Sequence, residues 1–405
     1  MIALLLLVSI LFIPMVGVPL TLISATNINS YKYSRIVILA MYFGLIGFFF
    51  VPKYGTDLSR YFENSVDILR GASYSSMLSS MQQTDLFFIV QKSLFFLVSR
   101  FKTDQMLPAV TLFVIYLVAF FILISYARKF NYSRKQVFGA FVVILAIFPL
   151  SSLANNTRNI LAVALFDVGL YLELEEKKIV PAYILYFLSM SMHIAAVPLV
   201  LIKLIVSYFY NIKSRKLLRN IIFLLIIIAV AVFLIKNGII NSVLDKGTSY
   251  FNGGEAGSGL QQWFEAADRS IVEKVSKFLG GSIGILIIFY AIRDLLYSKN
   301  IRDNTFLNKE LLINICIFTG ISVFLTFRSG TTWFRFYMIE LFYLPIFLKY
   351  SLNQKNILVK NIVLIIWIVL ILSNILLQVY RLKNQADIGL LVKSVLLMPI
   401  FSLFQ

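Results

Sequence analysis

The sequence predicts an all-α polytopic membrane protein with about twelve transmembrane helices, and three observations lead to this prediction. Sixty per cent of the 405 residues are hydrophobic and only 14 % are charged, whereas an ordinary globular domain is about half apolar and a quarter charged. The apolar residues form long blocks, most of which reach or nearly reach the roughly 20 residues that a helix needs to cross a bilayer. Because a backbone in lipid must satisfy its own hydrogen bonds, these blocks are predicted to be helices.

The apolar blocks extend over the whole chain, which predicts a single integral membrane domain over residues 1–405. They comprise residues 4–22, 36–51, 107–124, 137–153, 221–235, 283–291, 311–327 and 362–377. No positively charged segment precedes the first block, so it is predicted to be a retained first helix rather than a signal peptide. The sole cysteine, Cys316, lies inside an apolar block, which argues against a disulfide framework.

The basic residues predict the orientation of the chain. The formal net charge is +18, and many of the Lys and Arg residues lie in short connections between the apolar blocks. The positive-inside rule places such connections in the cytoplasm. The positive charge is therefore interpreted as cytoplasmic anchoring, and no nucleic-acid partner is expected.

Two segments decide how the chain is threaded through the membrane. Residues 85–100 are too few to span and have Gln91 and Lys92 in their middle, so an interfacial or re-entrant helix on the outer side is predicted. Residues 179–210 begin and end beside basic residues, and are predicted to cross twice as two short helices broken near residues 193–198. The threading then gives an outer loop over residues 52–106, which contains the interfacial helix, and a long outer loop over residues 237–281.

The predicted outer side gathers the residues that could do chemistry. They are Asp57, Arg60 and Tyr61 in the segment 55–61, Arg158 in the segment 155–159, the sole histidine His193, and Arg328, Trp333 and Arg335 in the segment 328–335. Arginine at a membrane boundary often only reaches the headgroup phosphates. However, positive charge is disfavoured on the outer side, and a guanidinium suits bidentate capture of phosphate, so a phosphate-bearing lipid substrate is the second interpretation.

Three segments resemble the EpsG/Wzy-type family of bacterial polysaccharide polymerases. Residues 55–61 (GTDLSRY) resemble the G-T-D-x-x-x-Y element after the second helix of that family. Residues 156–162 (NTRNILA) resemble its R-x-x-(I/L)-A helix start, with Asn159 where glutamine is common. Residues 192–196 (MHIAA) resemble its (F/I)-H-x-S-A element, with Ala195 in place of the usual serine. The resemblance is clearest over residues 50–210.

The resemblance implies a membrane-embedded glycosyltransferase of the bacterial plasma membrane, with an all-helical fold related to the GT-C enzymes. Such a polymerase moves a growing glycan from a polyprenyl-pyrophosphate carrier onto the non-reducing end of a lipid-linked repeat unit at the outer face. Its partners are the polyprenyl-pyrophosphate-linked oligosaccharide, membrane lipid, and a chain-length regulator and flippase of the same pathway. No cofactor is expected, and with one His and one Cys no metal site is predicted.

Glycosyl transfer of this kind needs a base for the acceptor hydroxyl and cations for the leaving pyrophosphate. His193 is the candidate base, although a lone histidine among apolar residues is often a structural group. Arg158, with Arg328 or Arg335, is the candidate pyrophosphate clamp. Asp57 is expected either to orient a sugar hydroxyl or to act as a competing base.

The remaining candidates have two interpretations each. Arg60 is expected to bind phosphate or to pair with Asp57. Trp333 is expected to stack on a sugar ring or to anchor its helix at the interface, and Tyr61 is assigned to substrate binding with its motif.

Three other functions use similar features. A ligase that moves a finished glycan to a different acceptor would need nearly the same chemistry. A flippase or transporter predicts internal repeats and polar residues along a midplane path, whereas here the notable polar residues lie at one face. A membrane O-acyltransferase also uses a histidine, but would normally have a second polar partner beside it.

Overall fold

The computed structural model describes residues 2–27, 33–81, 86–212, 271–297, 307–328, 333–352 and 357–392. Within these residues the regular secondary structure is helical, apart from one isolated antiparallel bridge between Pro52 and Ala386. The all-α prediction is confirmed.

The described residues contain the following helices. In chain order, the first nine are α1 (Ile2–Phe12), α2 (Pro14–Ala25), α3 (Tyr33–Phe48), α4 (Asp57–Tyr61), α5 (Asp67–Leu69), α6 (Tyr74–Ser79), α7 (Ile89–Ser99), α8 (Met106–Lys129) and α9 (Arg134–Ile147). The others are α10 (Leu150–Asn155), α11 (Thr157–Leu174), α12 (Ile179–Met192), α13 (Ala196–Ile212), α14 (Ile271–Tyr297), α15 (Lys309–Arg328), α16 (Trp333–Leu352), α17 (Ile357–Gln385) and α18 (Ile388–Val392). A π-helical turn, Phe62–Val66, joins α4 to α5.

Three helices of the described chain are long and apolar enough to cross a membrane. They contain the spans Met106–Lys129, Lys277–Leu296 and Val363–Gln385. Shorter apolar helices accompany them, such as Tyr33–Phe48 and Ile179–Met192. The chain is therefore a polytopic membrane protein, while the number of about twelve crossings includes segments outside the described residues and stays a prediction.

The first apolar block is not one straight helix, and the prediction of a single first helix over residues 4–22 was wrong. Helix α1 ends at Phe12 and α2 begins at Pro14, with Ile13 in a non-helical conformation (φ −138°, ψ 73°). The ring of a proline disfavours the helical region for the preceding residue, while proline itself is well suited to the first helical position. Neither part, at 11 and 12 residues, reaches the length of a straight span.

The helix contacts divide the chain into two compact units. Unit 1 consists of Met1–Tyr74, Lys92–Ala164 and Leu341–Gln405, and unit 2 consists of Ser75–Gln91 and Leu165–Glu340. The prediction of one integral membrane domain over residues 1–405 stays a prediction.

The core of unit 1 is the pair of helices α3 and α8, which pack along most of their length. Gly47 permits this, because a Cβ atom at that position would lie only 2.3 Å from the carbonyl oxygen of Pro108. The rings of Phe43 and Tyr116 stack beside it, with centroids 3.6 Å apart. Small residues at helix contacts let transmembrane backbones approach closely, and α3–α8 is such a contact.

The predicted outer loop over residues 52–106 contains short helices tied together by two arginines. Arg70 donates to the carbonyl oxygen of Phe101 at 2.9 Å and pairs with Asp104. Arg100 donates to the carbonyl oxygens of Leu69 and Ala72. The helix predicted within residues 85–100 is α7, whose 11 residues are too few to span; its position on the outer side stays a prediction.

The last residues of the range 237–281, which the sequence predicts to be a long outer loop, are helical, while the loop itself stays a prediction. Helix α14 begins at Ile271 and includes the final residues of that range. Lys274 and Lys277 make this stretch look like a loop in the sequence, but both lie in the first two turns of a helix that becomes apolar further on. Residues 237–270 lie outside the part of the chain that the structure describes.

Unit 2 contains the helical hairpin that the sequence predicts over residues 179–210. Helices α12 and α13 pack against each other, and α13 and α14 both contact α15. The hairpin turns at residues 193–195, between Met192 and Ala196. The predicted break near His193 is confirmed.

A buried ion pair lies between α11 and α13 in unit 2. Lys203, whose side chain is 0 % exposed, pairs with Glu173, whose side chain is 9 % exposed. Tyr186 donates its hydroxyl to Glu173 at 2.8 Å, and the Lys203 amine lies 5.3 and 5.2 Å from the ring centroids of Tyr183 and Tyr186. Charges inside a membrane protein are tolerated when paired in this way, so the cluster fixes α12 and α13 on α11.

We expect Lys203→Met to lower the thermal midpoint of the purified protein strongly. Removing one partner of a buried pair leaves an uncompensated charge and typically costs about 3–5 kcal/mol. The double variant Lys203→Met with Glu173→Gln should recover much of the loss, since replacing both partners is often near neutral. Lys178→Met is the control, because that side chain is 59 % exposed; a wild-type midpoint for Lys203→Met would contradict a stabilising role for the pair.

Candidate functional site

The segment before α4 is held in one conformation by its local sequence. Gly55 has φ +83°, in the left-handed region that glycine adopts without strain. The Thr56 hydroxyl then caps α4 by accepting a hydrogen bond from the Ser59 backbone N–H at 3.4 Å. These two residues place Asp57 at the first position of the helix.

Asp57 forms an ion pair with Arg60, one helical turn further along α4. This arrangement is one of the two interpretations that the sequence offers for Arg60. The two side chains are 41 % and 57 % exposed, and exposed pairs of this kind contribute only about 0–1 kcal/mol. The carboxylate and the guanidinium are therefore both available to a ligand.

The guanidinium of Arg158 lies over the ring of Tyr61, with its central carbon 4.6 Å from the ring centroid. The centroid of the Tyr61 ring also lies 5.8 Å from that of Phe95. Helix α10, which leads into Arg158, packs against α4. Because residues four apart share a helix face, Asp57 lies one turn from the ring that supports Arg158. Thus the structure brings together Asp57, Arg60, Tyr61 and Arg158.

A bend between α10 and α11 presents Arg158. The bend is at Asn156, which has φ −97° and ψ 40°. Polar side chains satisfy backbone carbonyls around it: Asn156 donates to the oxygen of Ser152 at 3.0 Å, and Thr157 to that of Ala154 at 3.1 Å. The Ser152 oxygen also accepts the regular helix bond from the Asn156 backbone N–H at 3.0 Å, so the Asn156 side chain adds a second bond to this carbonyl.

The C-terminal end of α17 completes this part of unit 1, although no motif in the sequence assigns it to the site. Gln385 accepts a hydrogen bond at its carbonyl from the Lys53 N–H at 3.0 Å, and Asp387 donates its N–H to Val51 at 3.3 Å. The amide nitrogen of Asn155 donates to the Gln385 side chain at 3.4 Å. Residues so distant in the sequence carry no local signal of this contact.

His193 lies in unit 2, at the turn of the α12–α13 hairpin, with extended backbone angles (φ −157°, ψ 138°). Its Nδ1 atom accepts a hydrogen bond from the Ala195 backbone N–H at 3.1 Å. The other ring nitrogen must then carry the proton in the neutral imidazole. In that tautomer Nε2 is a hydrogen-bond donor, and the expected role of His193 as the base stays a prediction.

The turn that contains His193 also receives the N-terminal part of α7. The backbone N–H of Val90 donates to the hydroxyl of Ser191 at 3.2 Å. Ser191 is fully buried, and this bond connects Val90 to the end of α12.

Arg328, Trp333 and Arg335 have helical backbones but undescribed side chains. Arg328 is the last residue of α15, and Trp333 and Arg335 lie in the first turn of α16. Residues 329–332 and these three side chains lie outside what the structure describes, so the expected roles of the three residues stay predictions. Elsewhere, the described residues contain no group of three His, Cys, Asp or Glu that could hold a metal ion.

Comparison with known proteins gives one match. The model of the EpsG family matches residues 32–386, a range that includes Asp57, Arg60, Tyr61 and Arg158. No curated protein and no solved structure matches the chain.

We expect Tyr61→Leu to expose Arg158 to the arginine reagent phenylglyoxal. Stacking on an aromatic ring stabilises a guanidinium by about 0.5–1 kcal/mol at exposed sites, so its loss should raise the modification rate of Arg158 by about two- to fivefold. Tyr61→Phe should leave the rate unchanged, because the ring remains. Mass spectrometry of the digested protein measures the rate, with Arg70 as the internal control; equal rates for Arg158 in the wild type and Tyr61→Leu would contradict the stack.

Proposed function

The chain belongs to the EpsG family, and on that basis we propose that it is a membrane-embedded glycosyltransferase that polymerises polysaccharide repeat units. Family membership supports a polysaccharide polymerase-type function in general. The finer proposal is that it transfers a growing glycan from polyprenyl pyrophosphate to the non-reducing end of a lipid-linked repeat unit, at the outer face of the bacterial plasma membrane.

The observation that carries this proposal is the contact of Arg158 with Tyr61. It joins two motif segments that lie about a hundred residues apart in the chain. Arg158 lies over the ring of Tyr61, and Asp57 lies one helical turn from that ring. The guanidinium and the carboxylate are the two groups, a cation and a base, that glycosyl transfer from a pyrophosphate requires. The planar guanidinium also matches two phosphate oxygens at once.

In the proposed reaction the oxygen of a sugar hydroxyl on the acceptor attacks the anomeric carbon of the donor. The bond between that carbon and the pyrophosphate oxygen breaks, and its electron pair leaves with the polyprenyl pyrophosphate. The hydroxyl proton passes to the Asp57 carboxylate. Arg158 stabilises the negative charge that develops on the leaving group, and Arg328 and Arg335 are proposed to add to this clamp.

We assign His193 the role of a hydrogen-bond donor to the substrate. The bond from Ala195 to Nδ1 supports this role, because a base acting through Nε2 would need its proton on Nδ1, facing another N–H donor. Arg60 is proposed to bind phosphate when it leaves Asp57, and Tyr61 to support Arg158. Trp333 is proposed to stack on a sugar ring, and a chain-length regulator and a flippase of the pathway are the proposed partners.

We expect Arg158→Lys to make little or no polymer from lipid-linked repeat units. A lysine supplies one point charge and cannot reproduce the bidentate fork. The assay uses purified protein in nanodiscs with the lipid-linked repeat unit as both donor and acceptor, and gel electrophoresis of the product. Arg134→Lys is the matched control, since Arg134 is exposed at the start of α9.

Two results would reject this proposal. Full polymer production by Arg158→Lys would reject the clamp. A wild-type protein that makes no ladder from repeat units alone, but transfers them to a different acceptor, would be a ligase.

We expect variants of Asp57 to lose more catalytic activity than variants of His193. His193→Ala should lower kcat by about 10–100-fold, the cost of losing a hydrogen bond to a charged group, while His193→Gln keeps an N–H donor and should stay within about tenfold of the wild type. Asp57→Asn should cost about 10²–10⁴-fold, as for a lost general base. If His193→Gln is as inactive as His193→Ala and Asp57→Asn is active, the base is His193 instead.

A further inference from the structure

Gln385 is bonded to residues that lie just before the two motif segments of unit 1. Its carbonyl oxygen accepts from the Lys53 N–H, four residues before Asp57. Its side-chain oxygen accepts from Asn155, three residues before Arg158. Gln385 is half-buried, so part of the residue is accessible to solvent.

The orientation of this amide is set by its neighbour. Asn155 donates the same amide nitrogen to the carbonyl oxygen of Ser151 at 2.9 Å, which fixes which end of the Asn155 side chain is the donor. The atom of Gln385 that faces Asn155 must therefore be its oxygen. The Nε2 group, with two N–H donors, consequently points away from Asn155.

We propose that Gln385 is a substrate-binding residue whose Nε2 group donates to a hydroxyl oxygen of the sugar attached to the pyrophosphate, with Asn155 as its positioning residue. This inference rests on the proposed function. The Gln385 amide is held through its own oxygen, which leaves its uncharged N–H donors pre-organised for a neutral acceptor such as a sugar hydroxyl. The charged guanidinium of Arg158 suits the phosphates instead. A site that donates to a substrate oxygen also discriminates against sugars that lack it.

The test measures binding of two probes to the purified full chain in nanodiscs. One probe is the lipid-linked repeat unit, and the other is polyprenyl pyrophosphate without sugar. Gln385→Met keeps the length of the side chain and removes its amide, while the backbone bond to Lys53 remains. We expect this variant to bind the sugar-bearing probe about two- to tenfold more weakly, the effect of one lost neutral hydrogen bond, and to bind the sugar-free probe as the wild type does, which also shows that it is folded.

The matched control is Gln378→Met, on the same helix α17. The Gln378 amide donates to the carbonyl oxygen of Ala146, so its loss should lower the thermal midpoint without a preference between the two probes. Equal binding of both probes by wild type and Gln385→Met would overturn the inference, and so would equal weakening of both. If the wild type binds neither probe, the proposed function fails, and the inference fails with it.

Discussion

Lipid offers no hydrogen-bond partner to a peptide group, and this constraint governs the rest of the structure. It makes the described chain helical and permits interruptions only where other groups take over the freed backbone atoms. At the α10–α11 bend, the Thr157 hydroxyl donates to the carbonyl oxygen of Ala154. At the α12–α13 turn, His193 accepts one from Ala195. Two of the motif segments are therefore also the segments that make interrupted helices tolerable.

The sequence predicted much of the fold because apolar blocks and basic connections are local signals. The helices, the short α7 and the break near His193 all follow from residues that are neighbours in the chain. The break at Ile13 was missed because the apolar residues on both sides of Pro14 form one continuous hydrophobic block. The beginning of α14 was missed for the opposite reason, since the charged residues after Ile271 resemble a loop.

The candidate site was only partly predictable. Motif order identified Asp57, Tyr61 and Arg158, but nothing local indicates that Arg158 stacks on Tyr61 or that Gln385 reaches Asn155. Those contacts depend on how helices far apart in the sequence pack. The hydrogen bond from the Ala195 N–H to the His193 ring was also beyond prediction, because it depends on the direction of a single backbone N–H two residues away.

The pairing of residues 51–53 with residues 385–387 has a consequence for biogenesis. The first of these segments leaves the ribosome long before the second, so the early helices enter the bilayer while their partner is still untranslated. During that interval the backbone groups of Val51 and Lys53 have water or lipid headgroups as partners instead of Asp387 and Gln385. The proposed substrate-binding end of unit 1 thus acquires its contacts with Gln385 and Asp387 only after α17 has been synthesised.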